Sequence, residues 1–390
     1  MANSSMATST SMLRVGVIGV GHLGRHHARI FAGIEGVALV GVADSRIEQA
    51  REVAGNCGST AFGDYRELLD QVDAVSVAVP TFLHREIAGE ALERGLPTMV
   101  EKPLATTLAE AEELVKLAAA RGALLQVGHI ERFNPALSAL DGLRLRPKFI
   151  AAERLGTYTF RSTDIGVVLD LMIHDIDLLL SLVAAPVRSV SAVGVSLFGN
   201  HEDVANARIE FLDGCVANLT ASRASFQAVR KMRLYGPEGY ATLDFATKQA
   251  TILRPSDRLR RGELAADLEG LDVSQPSAVR DRLFGKILRV DKVQAEGREP
   301  LALELEDFVH AIRTGGRPRV GGEDALRAIR LADQILGKIR EHQWEGSPDG
   351  PTGPLELPEP LAGPIAGLPG PKSWRLKSAR LDIPTLADPS

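Results

Sequence analysis

Residues 15–24 read VGVIGVGHLG. An apolar run with strand character meets three glycines, Gly19, Gly21 and Gly24, and then passes into a helix-forming stretch. Glycine weakens regular structure, so few folds have a use for three of them there. The spacing G-x-G-x-x-G between a strand and a helix is one such use. The first glycine permits a tight turn, the second lets a pyrophosphate approach the backbone, and the third lets helix and strand pack closely. The helix N-terminus then offers free N–H groups and a positive dipole end to the phosphates. His22 and Leu23 lie inside this turn, and His22 is a candidate for the pyrophosphate region. His26 and His27 are expected on the helix surface.

The surrounding pattern supports this reading. After Arg14, short β-rich runs alternate with helical ones: VALVGVAD (37–44), AVSVAVP (74–80), PTMVEKP (97–103) and LLQVGH (124–129) are the later strands. Apolar strands spaced by helices predict a parallel sheet of βαβ units, a doubly wound Rossmann domain over residues 13–134. Asp44 stands 20 residues after Gly24 at the end of the second strand, followed by Ser45. A carboxylate there accepts hydrogen bonds from the adenosine ribose and repels a 2′-phosphate. It therefore predicts NAD, with NADP the minority alternative because Arg46 is close.

Beyond about Pro135 the runs are β-rich and joined by turn signals such as LDG and GPEG. They predict an open, largely antiparallel sheet in a second α/β domain, residues 135–343, interrupted by a helix over about 167–182. Residues 255–300 are ambiguous, and two helices are expected after them. The first 12 residues are small and polar, and residues 344–390 are rich in Pro and Gly; both are expected to be flexible.

Composition narrows the function. The formal net charge is −5, and no basic block is present. Nucleic acid and an anionic membrane are therefore poor partners. The two cysteines, Cys57 and Cys215, form no paired motif, which fits a cytoplasmic protein without disulfides or a thiolate metal site. No apolar run approaches the roughly 20 residues of a membrane helix.

Three further residues carry chemistry. Lys102 closes a parallel strand, where open α/β sheets place their ligands. Asp170 and His174 are four apart, so one helical face presents both. Spacing alone leaves Asp170 free to serve the helix dipole and His174 to be an ordinary helical residue. A metal site is the poorer reading, because no third ligand has suitable spacing.

The glycine fingerprint, EKP (Glu101–Pro103) and DLMIHDID (170–177) together resemble the glucose–fructose oxidoreductase / inositol dehydrogenase / MocA family. GHIERFNPAL (128–137) is similar to its sugar-nucleotide branch. The resemblance runs from about Arg14 to His342. It implies NAD-dependent oxidation of a secondary sugar hydroxyl to a ketone, with C3 of UDP-N-acetylglucosamine the expected position. A free polyol such as inositol, or a non-catalytic NAD-binding regulator, are the alternatives. It further implies a cis peptide before Pro103, Lys102 directed at the nicotinamide, His174 as acid/base, and Asp170 binding substrate or aligning the pair. Pro80, Thr81, His84 and Glu101 are implied near the cofactor. Arg132, Arg154, Arg161 and Arg223 are candidates for a substrate diphosphate, since the guanidinium fork matches phosphate oxygens. A homodimer or homotetramer formed through the second sheet is also implied.

Overall fold

The computed structural model describes residues 12–143, 145–158, 165–197, 201–263, 274–294 and 297–342. The polar lead up to residue 11, Arg161 and the Pro/Gly-rich tail lie outside them.

The first sheet contains β1 (Leu13–Ile18), β2 (Val37–Ala43), β3 (Thr60–Phe62), β4 (Ala74–Val77), β5 (Thr98–Glu101) and β6 (Leu125–Gly128). All its neighbours are parallel, in the order β3-β2-β1-β4-β5-β6. β4, β5 and β6 are buried at every residue, which is why they lack the apolar–polar alternation of a half-exposed strand. The helices between them are α1 (Gly24–Phe31), α2 (Ile47–Cys57), α3 (Tyr65–Leu69), α4 (His84–Glu93) and α5 (Leu108–Arg121). α5 starts at a capping box, Thr107 with Glu110, and stops at Gly122 in the left-handed conformation. The strand order reverses beside β1. The reversal opens a crevice at the carboxyl ends of the strands, the place where such sheets bind ligands.

The second sheet has eight strands: β7 (Phe149–Leu155), β8 (Val187–Val195), β9 (Val204–Phe211), β10 (Val216–Ser222), β11 (Val229–Gly236), β12 (Gly239–Asp244), β13 (Gln249–Pro255) and β14 (Leu288–Gln294). Their order is β14-β13-β12-β11-β7-β10-β9-β8, and only β7 with β10 is parallel. Both expected hairpins form, β9–β10 around Gly214 and β11–β12 around Gly236–Gly239. After the short helix α6 (Pro135–Ser138), the expected helix is a π-helical turn, Val168–Met172, running into α7 (Ile173–Leu182). α7 lies against β7 and β10, and the helix Gly322–Glu341 packs on α7 and β8. The ambiguous stretch contributes β14 and short helices, Asp257–Arg260 and Pro276–Arg282 among them.

The two expected domains share their packing. Helix Pro300–Thr314 buries Leu301, Leu305, Phe308 and Val309 in one cluster with Val15, Val17, Phe31 and Met99 of the first sheet and α1. Val127 N–H, in β6, donates to the Val320 carbonyl at 3.1 Å. The turn that follows β6, Ile130–Phe133, packs on both helix Pro300–Thr314 and α7 and so places α7 beside the carboxyl end of β6. Among the described residues no helix is long and apolar enough to cross a membrane.

Candidate active site

The glycine turn has the predicted geometry. Gly19 adopts φ +81°, and a Cβ there would lie 2.7 Å from the Ala78 carbonyl oxygen. A Cβ on Gly24 would overlap the Gly19 carbonyl oxygen, so the third glycine is needed for α1 to sit on the turn. A Cβ on Gly21 would meet nothing within 4 Å. The backbone there is open on the side a pyrophosphate would approach, so this turn fits NAD.

Asp44 closes the turn from the neighbouring strand. Its Oδ2 accepts from Val20 N–H at 3.0 Å and its Oδ1 from Arg46 N–H at 2.9 Å. Ser45 and His22 are exposed beside it, and the His22 ring lies 2.9 Å from the Arg25 guanidinium. Leu23, at the start of α1, is 43% exposed, an uncovered apolar surface at the mouth of the turn. Asp44→Ala is expected to raise KM for NAD several-fold while changing KM for NADP little; steady-state kinetics with both cofactors measure it.

The EKP segment ends β5. The Lys102–Pro103 peptide is cis. Lys102 Nζ donates to the Asp170 carbonyl at 2.7 Å and to the Asp170 carboxylate at 3.0 Å. Both side chains remain partly exposed, at 16% and 20%. One helical turn on, His174 is partly exposed, with its Nδ1 buried. Burial holds the His174 imidazole well below its ordinary pKa, and the nearby charges of Lys102, Arg154 and Arg230 push in the same direction. At neutral pH the ring is therefore uncharged and able to take a proton. The three residues singled out in the sequence thus meet where the first sheet faces α7.

Several expected contacts take other roles. Glu101 does not face the crevice. Its Oε1 lies 3.0 Å from His27 Nε2, and its Oε2 accepts from Lys102 N–H at 3.2 Å. Burial would raise this carboxyl, but the His27 and Lys102 contacts outweigh it and hold it below the usual range. His27 is fully buried rather than on the helix surface, with Nδ1 2.8 Å from Ser76 Oγ. α1 presents it inward because it lies three residues beyond Gly24 on the sheet-facing side. His84 is also buried. Its ring nitrogens lie 2.9 Å from the Pro103 and Val79 carbonyl oxygens, so it ties the end of β4 to the EKP turn and leaves no ring nitrogen for a cofactor. Pro80 and Thr81 stay at the surface beside it, at the start of a short 3-10 turn.

Arg154 is not a diphosphate ligand. It is 3% exposed, donates to both oxygens of Asp175 at 3.1 and 2.9 Å, and donates to Glu131 at 2.8 Å. Burial opposes its charge, but the two carboxylates keep it protonated. Arg223 is likewise internal, donating to Asp203 at 2.6 Å and to the Ile165 carbonyl. Arg132 is partly buried, 3.4 Å from Asp177. Sequence reasoning passed over Arg230. It is exposed at the start of β11, close enough for its charge to act on His174 and Asp175. No motif marks it, since only the strand pairing brings it there.

The chain matches two family models. Residues 13–129 match an oxidoreductase family with an NAD-binding Rossmann fold, and residues 146–242 match the GFO/IDH/MocA C-terminal domain. The chain belongs to the Gfo/Idh/MocA oxidoreductase family. A family member, UDP-N-acetylglucosamine 3-dehydrogenase of Acidithiobacillus ferrooxidans, is 39% identical over 83% of this chain and 96% of its own length. A solved structure of that enzyme superposes with a TM-score of 0.74 at 36% identity, covering 84% of this chain and 97% of the other. The scyllo-inositol 2-dehydrogenase (NAD(+)) of Bacillus subtilis is 27% identical over 84% of this chain and 94% of its own. Levoglucosan dehydrogenase with NADH shares the fold, with a TM-score of 0.72 at 20% identity, covering 84% of this chain and 97% of the other. As a Gfo/Idh/MocA member, the chain is an NAD-dependent dehydrogenase.

Proposed function

We propose that this dehydrogenase oxidises the C3 hydroxyl of a UDP-linked N-acetylglucosamine to a ketone. The Lys102–Asp170 pair beside a neutral His174 carries the chemical part of the proposal. The 39% identity to the A. ferrooxidans enzyme, over nearly its whole length, supports the substrate.

NAD, when bound, supplies the hydride acceptor. His174 takes the hydroxyl proton as the C–H bond breaks. Lys102 donates a hydrogen bond to the same oxygen and stabilises the negative charge that develops there. Asp170 fixes the ammonium by accepting from it, so that Lys102 need not reorganise during the reaction. Arg230 and Arg132 are the cations assigned to the substrate diphosphate; Arg230 has no ion pair among the described residues. Lys102, Asp170 and His174 together argue against a purely regulatory reading, because a sensor of NAD needs no proton-transfer group. A cytoplasmic setting fits the substrate. Self-association through the second sheet is proposed too, since Phe149, Tyr235 and Tyr240 form a partly exposed aromatic row on it.

Turnover with NAD on UDP-N-acetylglucosamine, free N-acetylglucosamine and myo-inositol tests the substrate. The nucleotide sugar is expected to give the highest kcat/KM, and millimolar UDP to inhibit competitively. Faster turnover of the free polyol, untouched by UDP, would replace this reading with a polyol dehydrogenase.

A further inference from the structure

Nine buried side-chain nitrogen and oxygen atoms lack a hydrogen-bond partner among the described residues, and seven of them belong to one group. They are His174 Nδ1, both ring nitrogens of His129, Asp177 Oδ2, Gln126 Oε1 and both carboxyl oxygens of Glu304. Three elements bring these residues together. Gln126 and His129 lie in and just after β6, His174 and Asp177 are a turn apart on α7, and Glu304 is on helix Pro300–Thr314. The His129 and His174 rings are edge-on with centroids 6.5 Å apart. Gln126 Nε2 donates to the Glu304 carbonyl at 2.9 Å. Gln126, His129, Asp177 and Glu304 are each at most 2% exposed.

An unpaired buried polar atom costs about 1–3 kcal/mol, so native proteins rarely leave one without a partner. Seven such atoms, on three elements that meet, offer the two to four polar partners that a buried water needs. The apolar residues that would fill such a place cheaply are not used. The site runs directly behind the ring proposed to take the substrate's proton.

We propose that His129, with water bound to these atoms, carries the proton from His174 to Asp177 and so out of the reacting centre. The proposal rests on His174 being the base. In the step, the C–H electron pair leaves as hydride to the nicotinamide, and the O–H proton passes to the cleft-facing nitrogen of His174. The Nδ1 proton leaves through water to one His129 nitrogen, and the other His129 nitrogen releases a proton through water to Asp177 Oδ2. Asp177 ends protonated on Oδ2 and releases the proton through further water along Arg132, which is paired to its other oxygen and whose side chain is 16% exposed. The charges around His129 suit a relay rather than a stable imidazolium. Asp177 and Glu101 favour its protonated form, while burial, Lys102 and Arg132 oppose it, and burial prevails, keeping the ring neutral between turnovers. Burial also raises the Asp177 carboxyl, making it a better acceptor than an exposed one. Burial, with the charges of Glu101, Asp307 and Asp177, pushes the Glu304 carboxyl up and so favours its uncharged form.

Stopped-flow oxidation of UDP-N-acetylglucosamine, or of the fastest sugar in the panel above, separates the hydride step from proton release when a pH indicator is present. His129→Leu is expected to lower kcat about tenfold, less than the roughly 10²–10⁴-fold contributed by the base itself, because His174 still accepts the proton. Proton release should lag cofactor reduction, and the solvent deuterium isotope effect on kcat should rise, with KM for NAD unchanged. Asp177→Asn should show the same lag. Should His129→Leu not fold, His129→Gln pairs with the same waters but cannot ionise, and the same fall is expected. Wild-type turnover with synchronous proton release in His129→Leu or His129→Gln overturns the relay. His174→Ala keeps the two readings apart: if it is inactive while the His129 variants are normal, the base stands and the relay falls; if it is as active as wild type, both fall.

Discussion

His174→Ala is expected to lower kcat by about 10²–10⁴-fold, the usual contribution of a general base, with NAD affinity intact. Lys102→Ala should do comparable damage. The double variant should be much less than multiplicatively worse, because both groups act on one oxygen and residues acting as a unit are not additive. The glycine turn is more remote and serves as the internal control through NAD binding. The wild-type pH profile follows from the same geometry. A base works only when deprotonated, and the His174 ring loses its proton well below the ordinary 6.5. The acidic limb of kcat/KM is therefore expected at a pH below 6.5, with the rate already flat at 6.5 and just above; an inflection at 6.5 or above would remove His174 as the titrating base. Initial rates across pH, with and without the substitution, check both statements.

Arg154→Met is expected to cost about 3–5 kcal/mol of stability, the usual penalty for breaking a buried ion pair, because Asp175 and Glu131 would then be buried without their partner. The damage should reach the reaction too. Asp175 neighbours His174 on α7, and Glu131 follows β6, so the guanidinium locks the helix that carries the base onto the end of the first sheet. Arg154→Lys should recover little, since an ammonium lacks the planar fork that serves both oxygens of Asp175 and one of Glu131 together. Thermal unfolding and kcat of the two variants measure it. A Met variant of wild-type melting temperature would show that the triad is not a structural lock.

The contrast between Arg132, Arg154 and Arg230 shows how far sequence carries. Arg132 lies in the GHIERFNPAL motif while Arg154 and Arg230 lie in none, yet the fates of all three follow from tertiary placement. Alternation in β7 puts Arg154 on the buried face against α7, while the β7–β11 pairing sets Arg230 opposite it at the exposed end. The same limit applies to Glu101, His27 and His84. Glu101 was visible at a strand end and His27 and His84 in the first turns of helices, but only the packing of α1 and α4 on the sheet turns them inward to brace the Lys102 turn. The glycine turn, Asp44 and the parallel sheet were legible because they depend on local backbone geometry and a regular apolar period. The helix that carries Asp170 and His174 was legible from its apolar pattern, though not its π-helical first turn, and the approach of Asp170 to Lys102 followed from the family resemblance. β3 and α3 were missed because three and five residues hold too little period to read. β14 was missed because its alternation is diluted by charge, in a strand at the sheet's edge.

The most direct test of the whole account follows one hydrogen. UDP-N-acetylglucosamine carrying deuterium at C3 is turned over with NAD, and the reduced cofactor and the sugar are examined by mass spectrometry. The deuterium is expected on the nicotinamide and the sugar as a 3-ketone, with kcat falling with the label under conditions where hydride transfer limits turnover. Deuterium retained in the sugar, with protium on the reduced cofactor, would contradict oxidation at C3.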